Sequence, residues 1–231
     1  MDWADRVVLW TVVLGACAAV ERIDPLEPGA RRTRVVGRDA PWFLVYLAVS
    51  PLVGRAGAAV VDLIGSGRAP LHRAPAIVQI AVGLVVFDLV SYGLHRAMHH
   101  SRLWVLHRVH HGSSELSFWT AFRAHPLSAL LTHVVPLAAV ALAGVHGDAL
   151  GAVVFVVFVV TLLGHASVWS PASLEQVLAT PTYHRRHHDP ALADRNLALL
   201  FPVTDRIFGT AAFSGSTPTI PPRATPGSPR R

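Results

Sequence analysis

Between Asp88 and His111 the chain reads DLVSYGLHRAMHHSRLWVLHRVHH, with histidines at spacings that suit a metal. His95 and His99 are four apart. His107 and His110 are three apart with His111 adjoining, and the pattern returns at His184, His187 and His188. Residues three and four apart share a face of an α-helix, so each set forms a clamp. Any one of these histidines, taken alone, is an ordinary surface residue. Repeated doublets in one chain are an odd surface feature and an economical ligand set. Imidazole binds Zn, Cu, Fe and Ni, and eight ring nitrogens suit two adjacent ions better than one. His100 points about 100° away from His99 on a helix and stays outside the set.

The elements that must position these clamps are apolar. Of 231 residues, 52% are hydrophobic and 15% charged, where a soluble domain carries roughly 25% charge. This composition indicates an all-α, polytopic membrane bundle of about four to five spans. The apolar stretches are 7–20 (extendable back to Trp3), 42–64, 76–94, 127–145 and 150–163. The first is short of the ~20 residues a span needs. Its non-basic start and the lack of a cleavage site argue for a retained helix rather than a signal peptide. Residues 22–38 read as an arginine-rich loop broken by Pro25, Pro28 and Gly29. Arg55, inside the second stretch, either snorkels or marks a re-entrant hairpin. His146, Gly147 and Asp148 join the last two stretches so tightly that they form a hairpin. The chain then returns to the side it left, and all three histidine clusters can meet in a cap on one face.

All 20 basic residues are arginine and the net charge is +6. These arginines punctuate apolar spans, as cytoplasmic loops facing anionic lipid do, so nucleic acid is not the expected partner. The arginines about the histidine clusters place the metal site on the cytoplasmic face. The polar segment 180–210, which brings the third cluster, is expected there too. The single cysteine, Cys17, excludes an internal disulfide and a four-cysteine iron–sulfur centre, so electrons would come from another protein. Residues 214–231 are rich in proline and read as a disordered tail.

Two acids stand near the clamps. Asp88, inside a span, either orients a ligating histidine through its outer ring nitrogen or pairs with an arginine such as Arg96. Glu115, in H-H-G-S-S-E, either fixes an imidazole or serves as a helix-start acid.

Taken with their flanks, these runs resemble the fatty acid hydroxylase/sterol desaturase superfamily. The likeness extends over 88–210: D-x3-Y-x2-H-R-x2-H from Asp88, H-R-V-H-H-x-S-S-E from His107, T-A-F-R-x-H-P-L from Thr120, G-H-A-S-V from Gly164, T-P-T-Y-H-R-R-H-H from Thr180 and D-R-I-F-G-T from Asp205. The resemblance implies a catalytic domain at 76–213, preceded by membrane spans and loops at 1–75. It also implies an all-histidine pair of irons, with zinc a possible occupant of purified protein. Dioxygen would be the oxidant and an external NAD(P)H-dependent reductase the electron source. It adds His125 and His165 to His95, His99, His107, His110, His111, His184, His187 and His188 as metal ligands. Ser128 stands where the family often has glutamate. Arg123, Asp189 and Asn196 recur in the likeness without a role that the sequence supplies.

The expected activity is hydroxylation of an unactivated C–H bond in a lipid-like substrate of fatty acyl, sterol or carotenoid type. Desaturation at the same site is the alternative. A haem electron-transfer protein would place isolated histidines on facing helices rather than in doublets at span ends. A zinc hydrolase would need only three or four ligands.

Overall fold

The computed structural model describes residues 3–23, 29–64, 69–100, 102–113, 115–192 and 194–213. Helices supply the regular elements among the described residues. They are α1 (Trp3–Ile23), α2 (Gly29–Asp39), α3 (Trp42–Ile64), α4 (Ala76–His100), α5 (Trp104–His107), α6 (Pro126–Leu142), α7 (Gly147–His165), α8 (Pro181–His187) and α9 (Pro202–Ile207), with 3-10 turns at Phe118–Phe122 and Leu174–Gln176.

Among the described residues three helices, α3, α4 and α7, are long and apolar enough to cross a membrane. The apolar α6 is shorter, at 17 residues. The first apolar stretch forms a 21-residue helix, α1, reaching back to Trp3. Pro51 and Arg55 do not interrupt α3, which is continuous over 23 residues, so the re-entrant hairpin is excluded there. Arg55 is exposed on its surface.

The arginine-rich stretch before α3 departs from expectation, because much of it is helix α2 rather than loop. The breakers Pro25 and Pro28 precede the helix and Gly29 begins it, so none falls inside. Val35 and Asp39, four apart and therefore on one face, are 1% and 0% exposed. The expected disordered tail, 214–231, lies outside the described residues.

Glycines set two of the helix crossings. A Cβ on Gly57 of α3 would lie 2.9 Å from Leu137 of α6. One on Gly83 of α4 would lie 2.9 Å from Val153 of α7. The α6–α7 hairpin turns at Gly144, whose φ of +98° favours glycine, and packs on Ala69 and His72. There His146 and His72 stack 4.4 Å apart, at the opposite end of α4 from His95. The hairpin brings α7 back to end at His165, so the histidine clusters share one end of the bundle. His133 does not bridge helices; its Nδ1 donates to Ala129 on its own helix at 2.7 Å.

Candidate metal centre

Nine histidines converge in two groups. His95, His99, His107, His111 and His187 form the first; His110, His165, His184 and His188 form the second. Within each group the candidate ligand atoms all lie within 4.8 Å of one another. Opposite ligands on one ion, at bonds of about 2.1 Å, sit about 4.2 Å apart, so each group is the size of one coordination sphere. The groups adjoin, with His111 stacked on His188 at 4.4 Å.

The elements explain the convergence. His95 and His99 occupy the last turns of α4. His107 ends the one-turn helix α5, and tight turns then carry His110 and His111. His165 closes α7. Thr180 caps α8 through the Tyr183 amide, and Pro181 starts that helix where its missing N–H is harmless. The sequence clusters do not map one to one onto the groups, since adjacent His110/His111 and His187/His188 each divide between them.

Backbone carbonyls fix four rings. His95 Nδ1 donates to Leu197 O at 2.8 Å, His187 Nδ1 to Arg195 O at 2.8 Å, His110 Nδ1 to Arg123 O at 3.1 Å and His165 Nδ1 to Thr161 O at 2.7 Å. A carbonyl only accepts, so these bonds place the proton on Nδ1 and leave the Nε2 lone pair facing inward. His110 Nε2 and His165 Nε2 then lie 3.0 Å apart, lone pair towards lone pair. No hydrogen bond joins two such nitrogens; a shared cation does. Both ring nitrogens of His99 and of His188, and Nε2 of His111 and of His187, are buried without a hydrogen-bond partner. Burial first, and then neighbouring imidazoles, hold His107, His111, His184, His187 and His188 well below the usual histidine range. The rings are therefore neutral, the form that ligates metal. This donor set fits two cations.

His125 stays outside both groups: its Nδ1 accepts the Leu127 amide at 3.2 Å and caps α6. Asp88 bonds no imidazole, nor Arg96. Its carboxylate takes the amides of Leu199 and Leu200 at 3.0 and 2.7 Å and the Thr204 hydroxyl at 2.7 Å. It therefore steadies the segment whose Leu197 carbonyl orients His95. The Glu115 backbone carbonyl accepts from Arg38 and from Ser113, and its charge acts on Arg38.

Asp39 and Glu21 were invisible in the sequence because their partners are distant in the chain, while Arg123, Asp189, Asn196 and Asp205, already conspicuous there, now acquire contacts. Asp39 accepts from Arg38, Thr120 and Arg123 at 2.7, 2.7 and 3.2 Å. Burial pushes its carboxyl up, but these donors hold it below the usual range. Arg123 also donates to Val109 O at 2.8 Å, so it braces the turn carrying His110. Glu21, 1% exposed, accepts the amides of Phe118 and Ser167 at 2.8 and 2.9 Å. Asp205 accepts from Leu197 N, Ala198 N and Tyr183 Oη at 2.8–2.9 Å. Asn196, at φ 55°, bonds Tyr183 O and Ala212. Asp189 caps the Ala191 amide. Asp194 is buried with neither carboxylate oxygen hydrogen-bonded, and it belongs to neither histidine group.

The family model described as fatty acid hydroxylase matches residues 80–210, and the chain belongs to that family. The chain is 28% identical over 164 residues to a putative methylsterol monooxygenase of Dictyostelium discoideum, covering 63% of this chain and 55% of that protein. It is 29% identical over 124 residues to an ornithine lipid hydroxylase of Rhizobium tropici, covering 53% and 38%. A very-long-chain aldehyde decarbonylase of Oryza sativa is 35% identical over 133 residues, covering 52% and 21%. The chain thus spans little more than half the length of the first of these relatives and less of the others. No solved structure matches it.

Proposed function

We propose that this protein is a membrane-bound, di-iron, dioxygen-dependent oxidoreductase that hydroxylates an unactivated C–H bond of a lipid-like substrate. The observation that carries the reading is the pair of inward lone pairs on His110 and His165, 3.0 Å apart in a buried, neutral, all-histidine site. Lipid-acting names among the relatives support the substrate class. When bound, two irons supply the redox chemistry by which dioxygen is reduced and the C–H bond oxidised.

The chain's own residues do the rest. His95, His99, His107, His111 and His187 would hold one ion; His110, His165, His184 and His188 would hold the other. Nδ1 bonds to carbonyls lock the tautomer and aim of four of these rings. The buried setting keeps the imidazoles neutral and excludes water from the reacting atoms. A small cavity lined by Val160, Thr161, Gly164, His165, Ala179, His184 and Leu199 borders the second group on its apolar side.

Balance requires two electrons and two protons per turnover, with one oxygen atom entering substrate and the other leaving as water. A separate NAD(P)H-dependent reductase system supplies the electrons. Arg96, Arg102, Arg108, Arg123, Arg185 and Arg186 around the histidines support a cytoplasmic site.

The test is turnover by full-length protein in detergent with Fe(II), a reductase system and a membrane-lipid extract, followed by mass spectrometry. A lipid gaining one oxygen atom, lost in His110→Ala, is the expected result. Loss of two hydrogens instead would make the enzyme a desaturase. No iron-dependent oxygen consumption by protein carrying two metals would overturn the oxygenase reading.

A further inference from the structure

Hydropathy places the polar segment 180–210 wholly outside the bilayer, but its packing places part of it deeper. Leu199, Leu200 and Phe201 join one apolar cluster with Phe87 of α4 and Val153 and Val157 of α7. Val157 lies eight residues before His165, where α7 ends, which is roughly 12 Å of helix rise. Asp88, which holds the Leu199 and Leu200 amides, lies seven residues before His95, or roughly 10 Å. From Leu199, which still borders His165 and His184, the chain descends so that Leu200 to Thr204 lie level with Asp88, beside the middle of two membrane-crossing helices.

Irregular backbone at that depth must have its polar groups satisfied within the protein. The Leu197 and Ala198 amides go to Asp205, those of Leu199 and Leu200 go to Asp88, and the Leu200 carbonyl accepts the Ala179 amide at 2.8 Å. Two buried carboxylates serve four successive amides. In water these amides would need no such partners.

The outer face of this segment is largely apolar, with Arg206 the exposed charge among its side chains. Val203, Ile207 and Phe208 are 50%, 73% and 46% exposed, and Val177 beside them is 64% exposed. Arg206 ties the two strips together, donating to the Gln176 carbonyl at 2.9 Å while its guanidinium lies over Phe213. On α4, Val85 and Leu89, four apart and so on one face, are 56% and 50% exposed, so the level of Asp88 also carries outward apolar surface on a span. A contiguous apolar face of this kind marks a membrane or partner contact. Its level beside two apolar spans, fixed by Asp88 and the Phe87–Val153 cluster, selects the membrane.

We infer that α9 and the adjoining 174–178 turn are re-entrant, seated in the acyl layer with Val177, Val203 and Ile207 against lipid chains. This holds whatever reaction the histidines serve.

Spin labels on the full-length chain in phosphatidylcholine proteoliposomes test it. Val177→Cys, Val203→Cys and Ile207→Cys are made in a Cys17→Ala background. They are repeated with the buried native Cys17 retained, in case that replacement impairs folding. Val154→Cys on the exposed side of α7 gives the lipid reference, and Ala191→Cys the aqueous one. The expected ratio of oxygen to nickel-chelate collisions at 177, 203 and 207 is several-fold above that at 191 and close to that at 154. A ratio like that at 191 overturns the inference. Low collision rates with both reagents also overturn it, because the face would then be covered by a partner protein or a second copy.

Discussion

In the group of His95, His99, His107, His111 and His187, the two rings with backbone partners both lean on one C-terminal segment, through Leu197 O and Arg195 O. In the group of His110, His165, His184 and His188, the partners are Thr161 O, one turn back on α7, and Arg123 O, braced by Asp39 of α2. One group is therefore anchored from the C-terminal side by Asp88 and Asp205. The other is anchored by its own helix and by the N-terminal region. Similar ligand shells can thus be held by unrelated parts of the chain, and each should respond to its own supports.

The largest effect is expected from removing ligands. His110→Ala leaves three rings in the smaller group, whereas His99→Ala leaves four in the larger. Both should abolish turnover, but only His110→Ala should reduce bound metal to about one ion per chain, read by elemental analysis. Retention of two ions by both variants would break the assignment of rings to groups.

Next come the anchors. Asp205→Asn should weaken metal binding at the first group, and Asp39→Asn at the second, by up to about tenfold, the low end for a ligand's outer partner because each acts one bond further out. A cobalt titration followed by visible absorption separates two binding steps. Equal weakening of both steps in both variants would mean the supports are shared.

Chelation should lower the thermal unfolding temperature of the purified protein, because it leaves inward lone pairs opposed at 3.0 Å. At metal a hundredfold above its Kd, the lost stabilisation is about 2.7 kcal/mol per site. An unchanged melting temperature would show that the histidine end stands without metal.

The smallest effect is expected at His125. His125→Leu should leave metal content unchanged and cost about 1 kcal/mol as a lost helix cap. A fall in bound metal would return His125 to the ligand set.

Much of the bundle is legible in the sequence because apolar length and helical spacing are local signals. The stretch 42–64 coincides with α3, the tight turn at His146 produces the α6–α7 hairpin, and the four-residue spacings of His95/His99 and of His184/His188 each fall within one group. The partition between groups is not legible. It depends on turns after α5 that send His110 and His111 different ways, which periodicity cannot report. Nor do buried acids announce their roles. Asp39 and Glu21 resemble loop charges until the amides and arginines they meet, roughly eighty to a hundred and fifty residues later, are in place. Asp88 is visible as an intramembrane acid, but its true partners are backbone amides, which leave no mark in the sequence. Helix α2 escaped because its breakers lie at its start rather than within it.

His110 and His111, like His187 and His188, are bonded neighbours that serve different groups. Consecutive Cα atoms across a trans peptide are about 3.8 Å apart, a length that neither heat nor bilayer composition changes. Two such rungs, with His111 packed on both His187 and His188, tie the paired groups together covalently. Helix sliding cannot part the two groups without breaking the chain, so any change in their interval must come from rotation of these side chains.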